Sequence, residues 1–167
     1  MADRPPKAVR ASRVAGGDLQ LVLENTIDAV EGARVEVESH LAPLALGPRV
    51  INRLEVVLEE LIANVVRHGF GDHPGHAILL TVGAGSDGVE ISLEDDGRPF
   101  NPLELAEPAA FDTLENARIG GLGVVVVRKF ATAISYEADP ESPSWAQLVR
   151  DNSRPVNRLR LTLAATV

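Results

Sequence analysis

Apolar and polar positions follow two different periods along this chain, and the changeovers between them divide it into elements. Between 48 and 68, Val50, Leu54, Val57, Leu58, Leu61 and Val65 recur at three- and four-residue intervals, which predicts an amphipathic helix. Pro48 suits its first turn, and the glycines from Gly69 to Gly75 close it. Ahead of it, Ile27, Val30, Val35, Val37 and Leu41 give a less regular helical pattern over 26–45, with Thr26 as N-cap. Leu19-Gln20-Leu21-Val22-Leu23 alternates, and reads as a strand at a sheet edge.

After the long helix the period changes to two. Strands are predicted over 76–83 and 89–94, joined by Gly85-Ser86-Asp87-Gly88, a hairpin signal. Val89, Ile91 and Leu93 face one side of the second strand; Glu90, Ser92 and Glu94 face the other. A short apolar helix opens at Gly120-Gly121-Leu122-Gly123 and runs from Val124 to about 131. A strand near 134–137 and an alternating strand over 157–163 complete the chain. Helices and antiparallel strands in this order predict an α+β fold: a two-layer α/β sandwich. Its sheet is expected to be mixed, mostly antiparallel, with helices on one face and the other face open.

Three stretches carry little pattern. Residues 1–17 read as a disordered basic arm, leaving 18–167 as a single domain. The weak periodicity of about 103–120 reads as a surface loop or lid, and 139–155 as a long loop around the lone Trp145. Charge sharpens this picture. The chain of 167 residues carries a net −8, of which the arm contributes +3 and the remainder −11. An acidic body disfavours nucleic acid or an anionic membrane as partner. Without cysteine, disulfides and thiolate metal sites drop out, and the chain suits a reducing cytoplasm. No secretory h-region follows the basic start, and no apolar run is long enough to span a bilayer. His68, His73 and His76 bracket a Gly/Pro-rich turn, which argues for a loop rather than a zinc site.

Candidate chemistry sits at three places. Glu60 and Asn64 are one helical turn apart, only ~40° around the axis, with Arg67 on the same line. That polar line edges the buried stripe instead of opposing it. On the helix alone it reads as a structural hydrogen-bond network. Asp95-x-Gly97 follows a strand and alone reads as a type I or I′ turn. Gly121-x-Gly123 starts a helix and alone reads as a tight turn with close packing. Together, in this order and on these elements, the three are specific.

They resemble the Bergerat-fold, histidine-kinase-like ATPases, and within them the compact bacterial anti-sigma-factor serine/threonine kinases. The resemblance rests on the Glu-Leu-x-x-Asn-x-x-x-His helix, the Asp-Asp-Gly-Arg-Pro-Phe turn, the Gly-Gly-Leu-Gly-x-x-x-Val helix start and the terminal Asn-Arg-Leu-x-Leu strand, and it covers about 18–165. It implies ATP and Mg²⁺ as ligands, with Asn64 holding the metal and Glu60 as the base that takes a proton from the attacking hydroxyl. Mg²⁺ is content with one hard protein oxygen beside phosphates and water, so Asn64 suffices. Asp95 matches the adenine-reading carboxylate, an acceptor that suits an exocyclic amine. Gly97 allows close approach to the base. Gly120, Gly121 and Gly123 supply amides for phosphate at a helix N-terminus. By the same resemblance Arg67, Phe100, Leu122 and Val124 join the nucleotide site, and Thr162 on the last strand completes the adenine pocket, although a plain strand threonine fits equally. Arg118 in the lid is out of register with the family's lid arginine. The chain departs from the family at Pro99, where a glycine is usual, at Ala131-Thr132-Ala133, where an acidic residue is common, and in its longer 139–155 loop.

The function so implied is phosphorylation of a small anti-anti-sigma protein of the STAS class, with a sigma factor or another regulator held on a separate surface and room for a homodimer. The alternative is a nucleotide-dependent module that sequesters a regulator with little or no transfer; retention of Glu60 and Asn64 favours the enzyme. A sensor-histidine-kinase half is disfavoured by the missing dimerisation helices, and a gyrase- or chaperone-type motor by the missing further domains.

Overall fold

The apolar stripe of the helices and the apolar alternation of the strands are hidden together only if helices lie across one face of a sheet. That is the arrangement in the computed structural model, which describes residues 8–70, 75–104, 122–150 and 154–166. Strands β1 (Val9–Ala15), β2 (Asp18–Glu24), β3 (Ala77–Gly85), β4 (Gly88–Asp95), β5 (Ala133–Ala138) and β6 (Asn157–Leu163) form one sheet in the order β1-β2-β3-β4-β6-β5. Each neighbouring pair is antiparallel, so the mixed character expected of the sheet is not found among the described strands. Helices α1 (Asp28–Leu41), α2 (Pro48–Asn64) and α3 (Leu122–Phe130) cover one face. Leu21, Leu80, Ile91 and Leu161 from the sheet meet Val37, Leu58, Ile62 and Val127 from the helices in one core. Each such side chain contributes roughly 1.5–3 kcal/mol by leaving water. The guanidinium of Arg53 lies 5.2 Å from the ring centroid of Phe130 and ties α2 to α3.

Five expectations change. Residues 9–15, read as part of a disordered arm, form an edge strand paired with β2. Hydrogen-bonded on one side and mostly exposed, β1 carries basic residues and shows no clean apolar alternation, which is how edges are blunted. It displaces 19–23 from the edge: β2 lies between β1 and β3. Residues 1–7 of the arm lie outside the described residues. Helix α1 begins at Asp28, and Thr26 contributes only its carbonyl, which accepts from the Ala29 N–H at 3.0 Å. The long helix does not run uniformly to 68. At Val65 it passes into one π-helical turn, Val65–Gly69.

The fifth change concerns the face expected to be open. Within 139–155 a short helix, α4 (Pro143–Leu148), is capped by Ser142, whose Oγ accepts from the Trp145 N–H at 3.1 Å. Trp145 is buried against Val22, Ala77, Leu79 and Val156, so this side of the sheet has a small core of its own. Of the expected lid, only the stretch up to residue 104 falls within the described residues, where Pro102–Glu104 makes a 3₁₀ turn.

Candidate functional site

The centre of the molecule is the end of β4. Strand alternation sends its consecutive carboxylates to opposite faces: Glu94 outward, Asp95 toward the helices. Both are buried, as is Asp96. Because β4 pairs with β6, Glu94 stands opposite Arg158 and Asp95 opposite Asn157.

Asp95 Oδ1 accepts from the Gly97 N–H at 2.9 Å and from Asn157 Nδ2 at 3.2 Å. No hydrogen bond reaches Oδ2 among the described residues. Burial pushes the Asp95 carboxyl up from its ordinary range. The Gly97 and Asn157 donors pull it back, neighbouring Asp96 adds to the rise and His76 opposes it. The Asn157 amide also donates to the Gly97 carbonyl at 3.0 Å, and its own oxygen accepts from Tyr136 Oη at 2.9 Å. The turn after Asp95 is pinned to the π turn: the Arg98 N–H donates to the Gly69 carbonyl at 2.7 Å. A Cβ on Gly97 would come within 2.5 Å of that carbonyl oxygen, so only glycine allows this approach. Behind the turn, His76 Nδ1 lies 2.9 Å from Asp96 Oδ1, and its ring stacks on Phe70 at 4.3 Å. His76 is thereby committed to the turn; His73 lies outside the described residues, and no group of three potential metal ligands occurs among those described.

Asp95 lines a largely apolar cleft of about 670 Å³, counting its open mouth. Asn64, His68 and Gly69 come from α2 and the π turn, Arg98, Phe100 and Pro102 from the segment after β4, Val124 and Val127 from α3, and Tyr136 and Asn157 from the sheet. The Asn64 side chain makes no hydrogen bond among the described residues and is half-exposed. Glu60 is not part of the cleft wall. Its carboxylate packs against Gly123, where any Cβ would overlap it, next to Val124 in the wall. The helix start that carries the glycine motif is thus held against the turn of α2 that carries Glu60.

Asn64, Asp95, Phe100 and Val124 therefore share one cleft, with Gly97 in its turn and Glu60 and Gly123 in contact beside it. Leu122 is exposed, 43 %, at the start of α3. Arg67 is exposed on the π turn and does not line the cleft. Gly120, Gly121 and Arg118 lie outside the described residues. Thr162, expected to complete the adenine pocket, is on the other face of the sheet, in a groove with Arg158, Arg160 and Glu94. Its phase is the reason: along β6 the even positions point away from the helices. Asn157 and Tyr136, not Thr162, line the cleft from this end of the sheet. An asparagine in phase with Leu159, Leu161 and Leu163 was the available signal, since a polar side chain on an apolar face needs a buried partner.

Comparison with known proteins agrees with the geometry. The sequence profile of the histidine kinase-like ATPase domain matches residues 23–144. The chain is similar to the anti-sigma F factor of Bacillus subtilis (strain 168), 24% identical over 122 residues, which is 73% of this chain and 84% of that one. It is also similar to the anti-sigma F factor of Heyndrickxia coagulans, 25% identical over 70% of this chain and 80% of that one. The serine/threonine-protein kinase BtrW of Bordetella bronchiseptica is 33% identical over 103 residues, 58% of this chain and 71% of the relative. The chain belongs to the histidine kinase-like ATPase family, in its anti-sigma-factor kinase branch. Among the described residues no helix is long and apolar enough to cross a membrane.

Proposed function

We propose that this protein binds ATP in the Asp95 cleft and transfers its γ-phosphate to a serine hydroxyl of a small anti-anti-sigma protein of the STAS class in the cytoplasm, so that phosphorylation decides whether the kinase holds that protein or a sigma factor. Purine recognition falls to Asp95, whose Oδ2 is left open beside the cavity to accept from the exocyclic amine. Glu60 takes the proton from the serine hydroxyl as its oxygen bonds to phosphorus and the bond to ADP breaks. The glycine amides at the start of α3 hold the phosphates, and catalysis is otherwise positioning and charge stabilisation. Asn64 fits Mg²⁺: its amide oxygen is a hard donor at the cleft, uncommitted to any described partner. When bound there, the ion supplies neutralisation of phosphate charge.

The observation that carries this reading is the half-satisfied, buried Asp95 carboxylate facing the cleft that Asn64 also lines. Calorimetric titration of ATP and ADP with and without Mg²⁺ tests the binding. Labelled-phosphate transfer to the cognate partner tests the chemistry: Glu60→Ala should retain nucleotide and lose about 100-fold or more in transfer. Transfer undiminished by that change would remove Glu60 from the reaction. Nucleotide binding with no transfer by the wild type would leave a sequestering module.

A further inference from the structure

A carboxylate can read a base only if its free oxygen is aimed and its protonation state is settled. Around Asp95 neither is left to the carboxylate itself. Asn157 Nδ2 sits among three acceptors: Asp95 Oδ1 at 3.2 Å, the Gly97 carbonyl at 3.0 Å and the Arg98 carbonyl at 3.4 Å. Turning the amide over would set its oxygen against all three. The nitrogen must therefore face them, and the amide oxygen must face Tyr136, whose hydroxyl donates to it at 2.9 Å.

We propose that Tyr136 and Asn157 are a positioning pair that sets base specificity, by locking Asp95 so that it shows the cleft an acceptor and never a donor. This rests on the reading of the cleft as a purine site. The Asn157 amide gives both of its hydrogens to acceptors at the Asp95 turn, one of them Asp95 Oδ1, which turns the carboxylate so that Oδ2 faces the cleft. Asn157 gives Asp95 Oδ1 a donor and presents it no acceptor, which favours the ionised carboxylate over the protonated one. Tyr136 keeps the amide in this sense; burial raises its hydroxyl above the ordinary tyrosine range, so it remains a donor. Adenine, with an amine at position 6, matches such an acceptor. Hypoxanthine, with a carbonyl there, does not.

ADP and inosine diphosphate binding to the full chain, measured by calorimetry with thermal melts in parallel, test the pair. The wild type should prefer ADP by about 100-fold. Asn157→Asp puts a second carboxylate beside Asp95 in place of a donor; two such groups resist ionising together, so Asp95 takes up a proton more readily and, carrying it on Oδ2, can donate to the inosine carbonyl, and the preference should fall at least about tenfold. Tyr136→Phe, which removes only the hydroxyl, should lower the preference severalfold with a nearly wild-type melting temperature. A merely structural role would weaken both nucleotides equally and leave the ratio alone. If both variants fold and keep the wild-type ratio, the proposal fails while the purine reading stands; if Asn157→Asp does not fold, Tyr136→Phe decides by itself. Equal binding of the two nucleotides by the wild type overturns this proposal and leaves a purine site standing; binding of neither overturns the purine reading and this proposal with it.

Discussion

Glu94 and Asp95 are chain neighbours on one strand, both buried acids, and they have opposite fates. Glu94 faces outward and is fully engaged: Arg158 Nε donates to Oε1 at 2.7 Å and Ser142 Oγ to Oε2 at 2.6 Å. Arg158 also reaches the Glu141 carbonyl at 2.9 Å and Glu137 at 3.3 Å. Asp95 faces inward and meets only neutral donors, all on one oxygen. A buried carboxylate with a cation and both oxygens bonded is a strut. One held at a cavity wall by neutral donors, with an oxygen to spare, costs stability for what it can bind. Burial alone does not separate the two; the count of unfilled lone pairs does.

Breaking the outer pair should have the largest effect on stability. Arg158→Leu leaves Glu94 buried without its cation, and urea unfolding should report a loss of about 3–5 kcal/mol. ADP affinity of the folded protein should be essentially unchanged; a parallel loss of affinity would mean that the two faces are not independent.

Asp95→Asn inverts that outcome. ADP binding should weaken about 100-fold, because an amide has a single, weaker acceptor oxygen, which the Gly97 and Asn157 donors claim, and turns an NH₂ donor toward the cleft. Stability should hold or rise at neutral pH. The folded state raises the Asp95 pKa above its ordinary 3.8, so it binds the proton more tightly than the unfolded chain does. Stability from this group therefore falls as pH climbs from the ordinary value through the raised one, and its cost is fully present above the raised value. Melting temperatures across pH check the sign: the advantage of Asp95→Asn should vanish below the ordinary carboxylate range.

Ser142→Ala is the mildest test. It removes both the α4 cap and one donor to Glu94, and should cost about 1 kcal/mol. Nucleotide affinity should not move. A much larger cost would mean that α4 depends on that cap to keep Trp145 seated on the outer face.

Much of the candidate site could be read locally. The helical period placed Glu60 and Asn64, the Asp-Gly signal the β3–β4 turn, and an alternating strand Asp95-x-Gly97; each alone reads as structural, and only the motifs together, through the family they resemble, pointed to a site. What failed had weak or misleading local signals. β1 is a charged edge with little apolar alternation, and the π turn leaves a helical apolar pattern almost unaltered. The 139–155 stretch conceals a six-residue helix whose reason for folding is one tryptophan. The assignment of Thr162 had a local objection that went unused, since it is out of phase with the leucines around it.

The sequence by itself determined the periods, and with them the faces: which residues of each strand look toward the helices and which look away. That is stereochemistry, decided within a few residues by the 3.6 and 2.0 repeats. Only the tertiary structure decided which strand lies beside which. β6 inserts between β4 and β5 and pairs with both, and that choice, made by the packing of the whole sheet against three helices, puts Asn157 opposite Asp95 and Arg158 opposite Glu94. No local pattern encodes such a neighbour, because partners far apart in the chain are selected by the total apolar surface their pairing buries.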